Sequence, residues 1–237
     1  MNKYIYFIVL LIMSTSLSAK NFELSNKTLS SKSLTFLAPI IDMVQKDGFT
    51  RLTNPEKGST VDDGMPELPV FTSYFQMDAG ISYDVDYTVI SSHVVENVEI
   101  YPYQGEPVIG VEKPFLKNIN FYNSSSNYPE IKLTVSEPLV MRDIEVGLIS
   151  LTPFEYNAIT KSLTVYDIVE INILESGVRG TNVEFPAKRS KLFEPFYQDI
   201  IVDYEPLSSR EEYQPSAIMY ICGGGSSTHP YVEELVE

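Results

Sequence analysis

From Leu34 onward, apolar and polar residues alternate in short runs that Gly, Pro, Asn and Asp interrupt. A period of two sends successive side chains to opposite faces of an extended strand, so such a chain is committed to sheets with one face in a core and the other in water. Tyr83–Ile90 and Ile131–Val135 alternate cleanly and Val94–Tyr101 loosely. Ile144–Leu151, Ser162–Tyr166 and Ile168–Leu174 continue the series, with Tyr156–Lys161 as a turn before the second of these. Many short strands and 15 Pro predict a mainly β, β-sandwich-like domain. Long amphipathic helices are hard to find before residue 190, and the polar stretch Asn118–Pro129 reads as a mobile loop.

A length of 237 residues allows one or two domains. Charged, Ser and Pro residues break the apolar pattern over Asp203–Pro215, and we place a domain boundary there. Beyond it, Ser216–Cys222 is continuously apolar, as in a strand buried on both faces. Gly223–Gly225 then forms a glycine turn, and Ser227 or Thr228 can cap a helix carrying Val232, Leu235 and Val236. Strand, turn and helix are the expected opening of an α/β domain, and a chain that stops within that helix reads as a fragment.

At the other end, Met1–Ala19 has one Lys, an apolar run from Tyr4 to Met13 and small residues before Lys20. This is the layout of an export signal, and the run is too short to span roughly 30 Å of hydrocarbon as a permanent anchor. The expectation is a secreted or cell-surface protein with no stable membrane anchor. Net charge is −15, from 17 basic and 32 acidic residues, which repels phosphate backbones and excludes nucleic acid as a partner. The single Cys222 rules out an intramolecular disulfide framework and multi-cysteine metal sites.

Residues for catalysis are scarce. Cys222 closes an apolar run, where a thiol acts as a small hydrophobe, and His93 reads as a surface or strand-edge residue. Gly223–Thr228 lacks the Lys of a phosphate cradle and reads as a turn. Asp62-Asp63-Gly64 could offer oxygens to Ca²⁺, although a solvated turn is the better reading. No metal site is expected.

Three segments together resemble the N-terminal propeptide of gingipain-type cysteine peptidases: Gly64–Val70, Pro138–Ile144 and above all Thr152–Tyr166. The similarity spans roughly residues 58–207. It implies residues 20–207 as an inhibitory and chaperone propeptide domain, 208–215 as a linker, and 216–237 as the start of a caspase-like peptidase domain. The full precursor would be a cysteine-type endopeptidase acting on protein substrates, with its own peptidase domain as partner in cis. Its His–Cys dyad has no counterpart in these residues, so no catalytic residue is transferred. No cofactor is implied here, with Ca²⁺ left open for the peptidase domain. Arg210 falls where maturation cleavage is expected, with Lys188–Lys191 as the next choice; an unremarkable linker arginine is the other reading. The family's inhibitory loop corresponds to Gly105, Glu106, Pro107, Val108, Ile109, Gly110, Val111 and Lys113. Arginine-specific members place a basic side chain in the specificity pocket, whereas this loop has none before Lys113. The rival reading is a non-catalytic secreted adhesion or carbohydrate-binding β-sandwich, to which the 16 Tyr would be suited.

Overall fold

The computed structural model describes residues 21–53, 58–106, 110, 113–180, 188–209 and 212–214. The export signal at 1–19 and the segment 216–237 lie outside the described residues. Among the described residues thirteen strands are formed: β1 (Phe22–Lys27), β2 (Ser31–Leu37), β3 (Asp42–Lys46), β4 (Phe49–Thr53), β5 (Gly58–Ser59), β6 (Pro69–Met77), β7 (Ile81–Val95), β8 (Asn127–Tyr128), β9 (Leu133–Val135), β10 (Leu139–Met141), β11 (Ile144–Leu151), β12 (Phe154–Asn157) and β13 (Ser162–Val178). Helices are short: α1 (Ile119–Tyr122), a 3₁₀ turn at Lys191–Phe193 and α2 (Glu194–Ile200). The mainly β expectation holds.

A six-stranded sheet runs β1-β2-β13-β12-β8, with β7 along the other edge of β13; a five-stranded sheet runs β10-β11-β6-β5, with β9 also on β11. β3 and β4 form a separate antiparallel hairpin. The two larger sheets share one core, in which Leu34, Phe36, Val169 and Ile171 of the first meet Phe71, Phe75, Ile149 and Leu151 of the second. Phe36 and Phe71 close the contact edge-on at 5.1 Å. Each such fully buried side chain contributes about 1.5–3 kcal/mol relative to exposure.

Ser162–Tyr166 and Ile168–Leu174, separate runs in the sequence, are one strand. The pairing of β13 with β7 skips Asp167 on β13 and then Ile90 on β7. The two irregularities cancel, so Val165 and Val169 face the same core although a bulge lies between them. On the outer face Asn172 links its neighbours, accepting from Ser33 Oγ at 3.0 Å and donating to Asp86 at 3.0 Å.

The Tyr156–Lys161 turn is built by Asn157, whose Oδ1 accepts from the amides of Ile159 and Thr160, each at 3.1 Å. Gly147 on β11 is required because a Cβ there would lie 2.4 Å from the ring of Phe75, its cross-strand partner. The Asn118–Pro129 stretch, expected to be a mobile loop, contains α1 and β8 instead. Asn118 caps α1 by accepting from Phe121 N at 3.1 Å, and Phe121, Tyr122 and Tyr128 are all buried.

α2 covers the outer face of the second sheet, where Tyr197 and Ile201 pack on Ile144 and Val146. The chain after it runs alongside β6, with Val202 N donating to Tyr74 O at 2.9 Å. Asp203 Oδ1 accepts from Gln76 N of β6 at 2.7 Å, and Oδ2 pairs with Lys32 Nζ of β2 at 2.7 Å.

Candidate functional site: a loop clasped at its neck

The loop begins on a rail of backbone bonds. Tyr101 N donates to Thr50 O of β4 at 2.8 Å, Glu67 N to Tyr101 O at 2.8 Å, and Tyr103 N to Met65 O at 2.8 Å. The outgoing limb is thus held on both sides up to Tyr103. The returning limb is held by Asn118 N, which donates to Gly64 O at 2.9 Å. That contact requires glycine, since a Cβ on Gly64 would lie 2.9 Å from Asn118 N, and its φ is +72°.

Between these anchors one side chain joins the limbs. Gln104 Nε2 donates to Pro102 O and to Leu116 O, both at 2.8 Å, and its Oε1 accepts from Leu116 N at 2.9 Å. Three of the four hydrogen bonds open to a primary amide are made, both donors included. Further out, Lys113 Nζ donates to Glu106 O at 2.6 Å, and Tyr103 OH donates to Glu106 Oε1 at 3.1 Å. Gly105 and Gly110 have φ of +69° and +78°, a region costly for residues with a Cβ.

Aromatic packing seats the returning limb. Phe115 stacks on Phe49 at 5.7 Å and meets Tyr101 edge-on at 6.0 Å. Lys117 Nζ lies 4.8 Å from the Phe49 ring centre and 4.5 Å from that of Tyr122. It also donates to Glu99 Oε1 at 3.0 Å, while Lys161 Nζ reaches Glu99 Oε2 at 3.0 Å. Burial alone would raise the Glu99 pKa, but the two ammonium groups outweigh it and hold the carboxyl below its usual value. Beside the loop a cleft of about 820 Å³ is lined by Asp42, Arg51, Glu67, Tyr103 and Glu106. Arg51 grips Glu67 with two bonds, of 2.9 and 2.7 Å.

Of the residues expected in the loop, Gly105 and Glu106 lie against Lys113 Nζ, a Cβ on Gly110 would meet nothing within 4 Å among the described residues, and Pro107, Val108, Ile109 and Val111 lie outside the described residues. Arg210 also lies outside them. Of the described residues that flank it in the chain, Tyr213 accepts at its hydroxyl from Leu207 N at 3.0 Å. In the alternative cleavage stretch Lys188–Lys191 both lysines are exposed, whereas Ser190 is buried and donates its amide to Asp143 Oδ2 at 2.8 Å. Arg189 bridges to Tyr213.

Asp62 accepts from Tyr128 OH at 2.7 Å, and Asp63 lies against Gly105, so the Asp-Asp-Gly turn supports the loop. Among the described residues no three His, Cys, Asp or Glu gather as a metal site. His93 is half-exposed on β7 and contacts Asp167 at 2.8 Å. Sequence reasoning, which has the loop start at Gln104, assigns that residue no role, because nothing in a lone Gln announces that its partner stands twelve positions on.

The Propeptide_C25 family model matches residues 33–210. Among curated proteins, gingipain R1 of Porphyromonas gingivalis is 27% identical over 150 residues, covering 60% of this chain and 15% of the relative. Gingipain R2 of the same species is 23% identical over 172 residues, covering 69% of this chain and 23% of the relative. The chain therefore spans less than a quarter of the length of these relatives. Two solved structures share the fold. The complex of Porphyromonas gingivalis RgpB pro- and mature domains aligns with a TM-score of 0.62 and 22% identity, over 78% of this chain and 98% of that one. The structure on zymogenic latency of gingipain K aligns at 0.57 and 19%, over 67% and 94%.

Proposed function

The chain belongs to the Propeptide_C25 family, and on that premise we propose that it is the pro-region of an exported gingipain-type cysteine endopeptidase precursor, assisting the peptidase to fold and blocking its active site. The observation that carries this reading is the loop of residues 103–118, which a rigid sheet scaffold holds by both limbs. A loop fixed before it meets a cleft loses little conformational freedom on docking, so more of its contact energy appears as affinity. Tethering in one chain adds a high effective concentration. Cutting the tether removes that second advantage, and the bond after Arg210 is the place we assign to the cut. The surrounding Ser208, Ser209, Glu211 and Glu212 suit an accessible linker. The loop offers no basic side chain before Lys113, which points to a peptidase without arginine specificity. Export by the N-terminal segment and action on protein substrates outside the cell complete the proposal. An adhesion module is not favoured, since such a module has no use for a propeptide family's fold.

The test follows the complete precursor and its released mature peptidase. Added in trans, the chain should slow that peptidase, and replacing 105–113 by Gly and Ser should abolish most of the effect. Maturation should leave Glu211 as a new N-terminus, read by mass spectrometry, and Arg210→Ala should remove it. Equal inhibition by both loops clears the loop of a role, and unchanged maturation of Arg210→Ala clears the arginine.

A further inference from the structure

We propose that Gln104 is the positioning residue of the loop: its amide clasps Leu116 across the neck and so holds the loop in the shape that docks. The inference rests on the pro-region reading and adds to it the group on which inhibition depends.

Three features of the geometry support it. The Gln104 amide is the one side chain whose donor and acceptor both engage the opposite limb among the described residues of the loop, through Leu116 O at 2.8 Å and Leu116 N at 2.9 Å. This imitates a rung of an antiparallel ladder at a point where the limbs make no backbone pairing of their own. The second Nε2 hydrogen reaches Pro102 O at 2.8 Å, which fixes the amide plane to the outgoing limb. Finally, the clasp joins the limbs immediately before Gly105 on the outgoing side and immediately after Phe115 on the returning side, where Phe115 is seated on Phe49 and Tyr101. Without it, the segment beyond Tyr103 retains the Lys113 to Glu106 bond, which joins a flexible side chain to a backbone carbonyl. An inhibitor whose competent loop conformation is populated only in part binds more weakly by that fraction.

The experiment compares the full chain with Gln104→Ala and Gln104→Glu. Exchange of the Leu116 amide with solvent is followed by NMR, and inhibition of the mature peptidase from the complete precursor is measured in parallel. Loss of these bonds should speed Leu116 exchange and weaken inhibition by about tenfold each in Gln104→Ala. The melting midpoint should stay within about 4 °C of wild type, since the clasp is local.

Gln104→Glu separates positioning from bulk structure. A protonated carboxyl can donate to Leu116 O and accept from Leu116 N, whereas a carboxylate cannot donate and faces two carbonyls. Leu116 protection should therefore approach wild type below about pH 4 and fall towards that of Gln104→Ala at neutral pH. The wild-type chain at each pH corrects for titration of Asp63 and Glu106 and for the ammonium of Lys113. Unaltered Leu116 exchange in Gln104→Ala, unaltered inhibition, or a flat pH profile for Gln104→Glu would overturn the clasp. Absence of inhibition by the wild-type chain would overturn the pro-region reading, and the clasp with it; that failure shows in the wild-type arm alone.

Discussion

Lys32 and Asp203 form an ion pair with only 9% and 0% of their side chains exposed, and each also bonds β6 at Gln76. A buried charge is tolerable here because its partner and a backbone group compensate it; removing one member strands the other in a medium of low dielectric. Lys32→Met should therefore cost about 3 kcal/mol of unfolding free energy, measured by urea denaturation. Adding Asp203→Asn should recover a large part, since the stranded charge is then gone. A single variant as stable as wild type would show that the pair contributes nothing. Sequence reading saw Asp203 only as the start of a break in the apolar pattern, because Glu, Pro and Ser follow it, and no local pattern reports a partner as distant in the chain as Lys32.

Elements carry the charge balance around the loop. Glu99 lies between the ammonium groups of Lys117, on the returning limb, and Lys161, in the β12–β13 turn. Its pKa in the folded chain is below the ordinary 4.5, so folding favours the ionised form. The resulting stability is fully present above that ordinary value and is lost as pH falls through the depressed one. In urea unfolding from pH 7 down to about 3, Glu99→Gln should lose less stability than wild type. Parallel curves would deny Glu99 a part in acid sensitivity. Regular elements were legible where the period of two held, as in Tyr83–Val89 and Ser162–Val165. Asn118–Pro129 was not, because a four-residue helix and a two-residue strand are too short for any period, although Phe121, Tyr122 and Tyr128 had to be buried somewhere. The break at Asp167 looked like the end of a strand, since a bulge and a turn both interrupt alternation.

At the scale of the whole molecule, β13 is the organiser. Ile171 pairs with Leu34 of β2 on one side and with Tyr87 of β7 on the other, and Leu163 pairs with Tyr156 of β12. A chain ending at Lys161 should therefore show no cooperative thermal transition by circular dichroism, whereas one ending at Gln214 should melt cooperatively. A sharp transition in the shorter chain would place the core elsewhere. Contacts this distant along the chain also make assembly slow, because loop closure precedes any reward from pairing. The central strand is the last of the thirteen to be synthesised. During translation β2 and β7 wait for seconds without their common neighbour. The nascent chain thereby lacks its central pairing until late in synthesis, and the order in which the strands are made sets the moment at which the larger sheet can close.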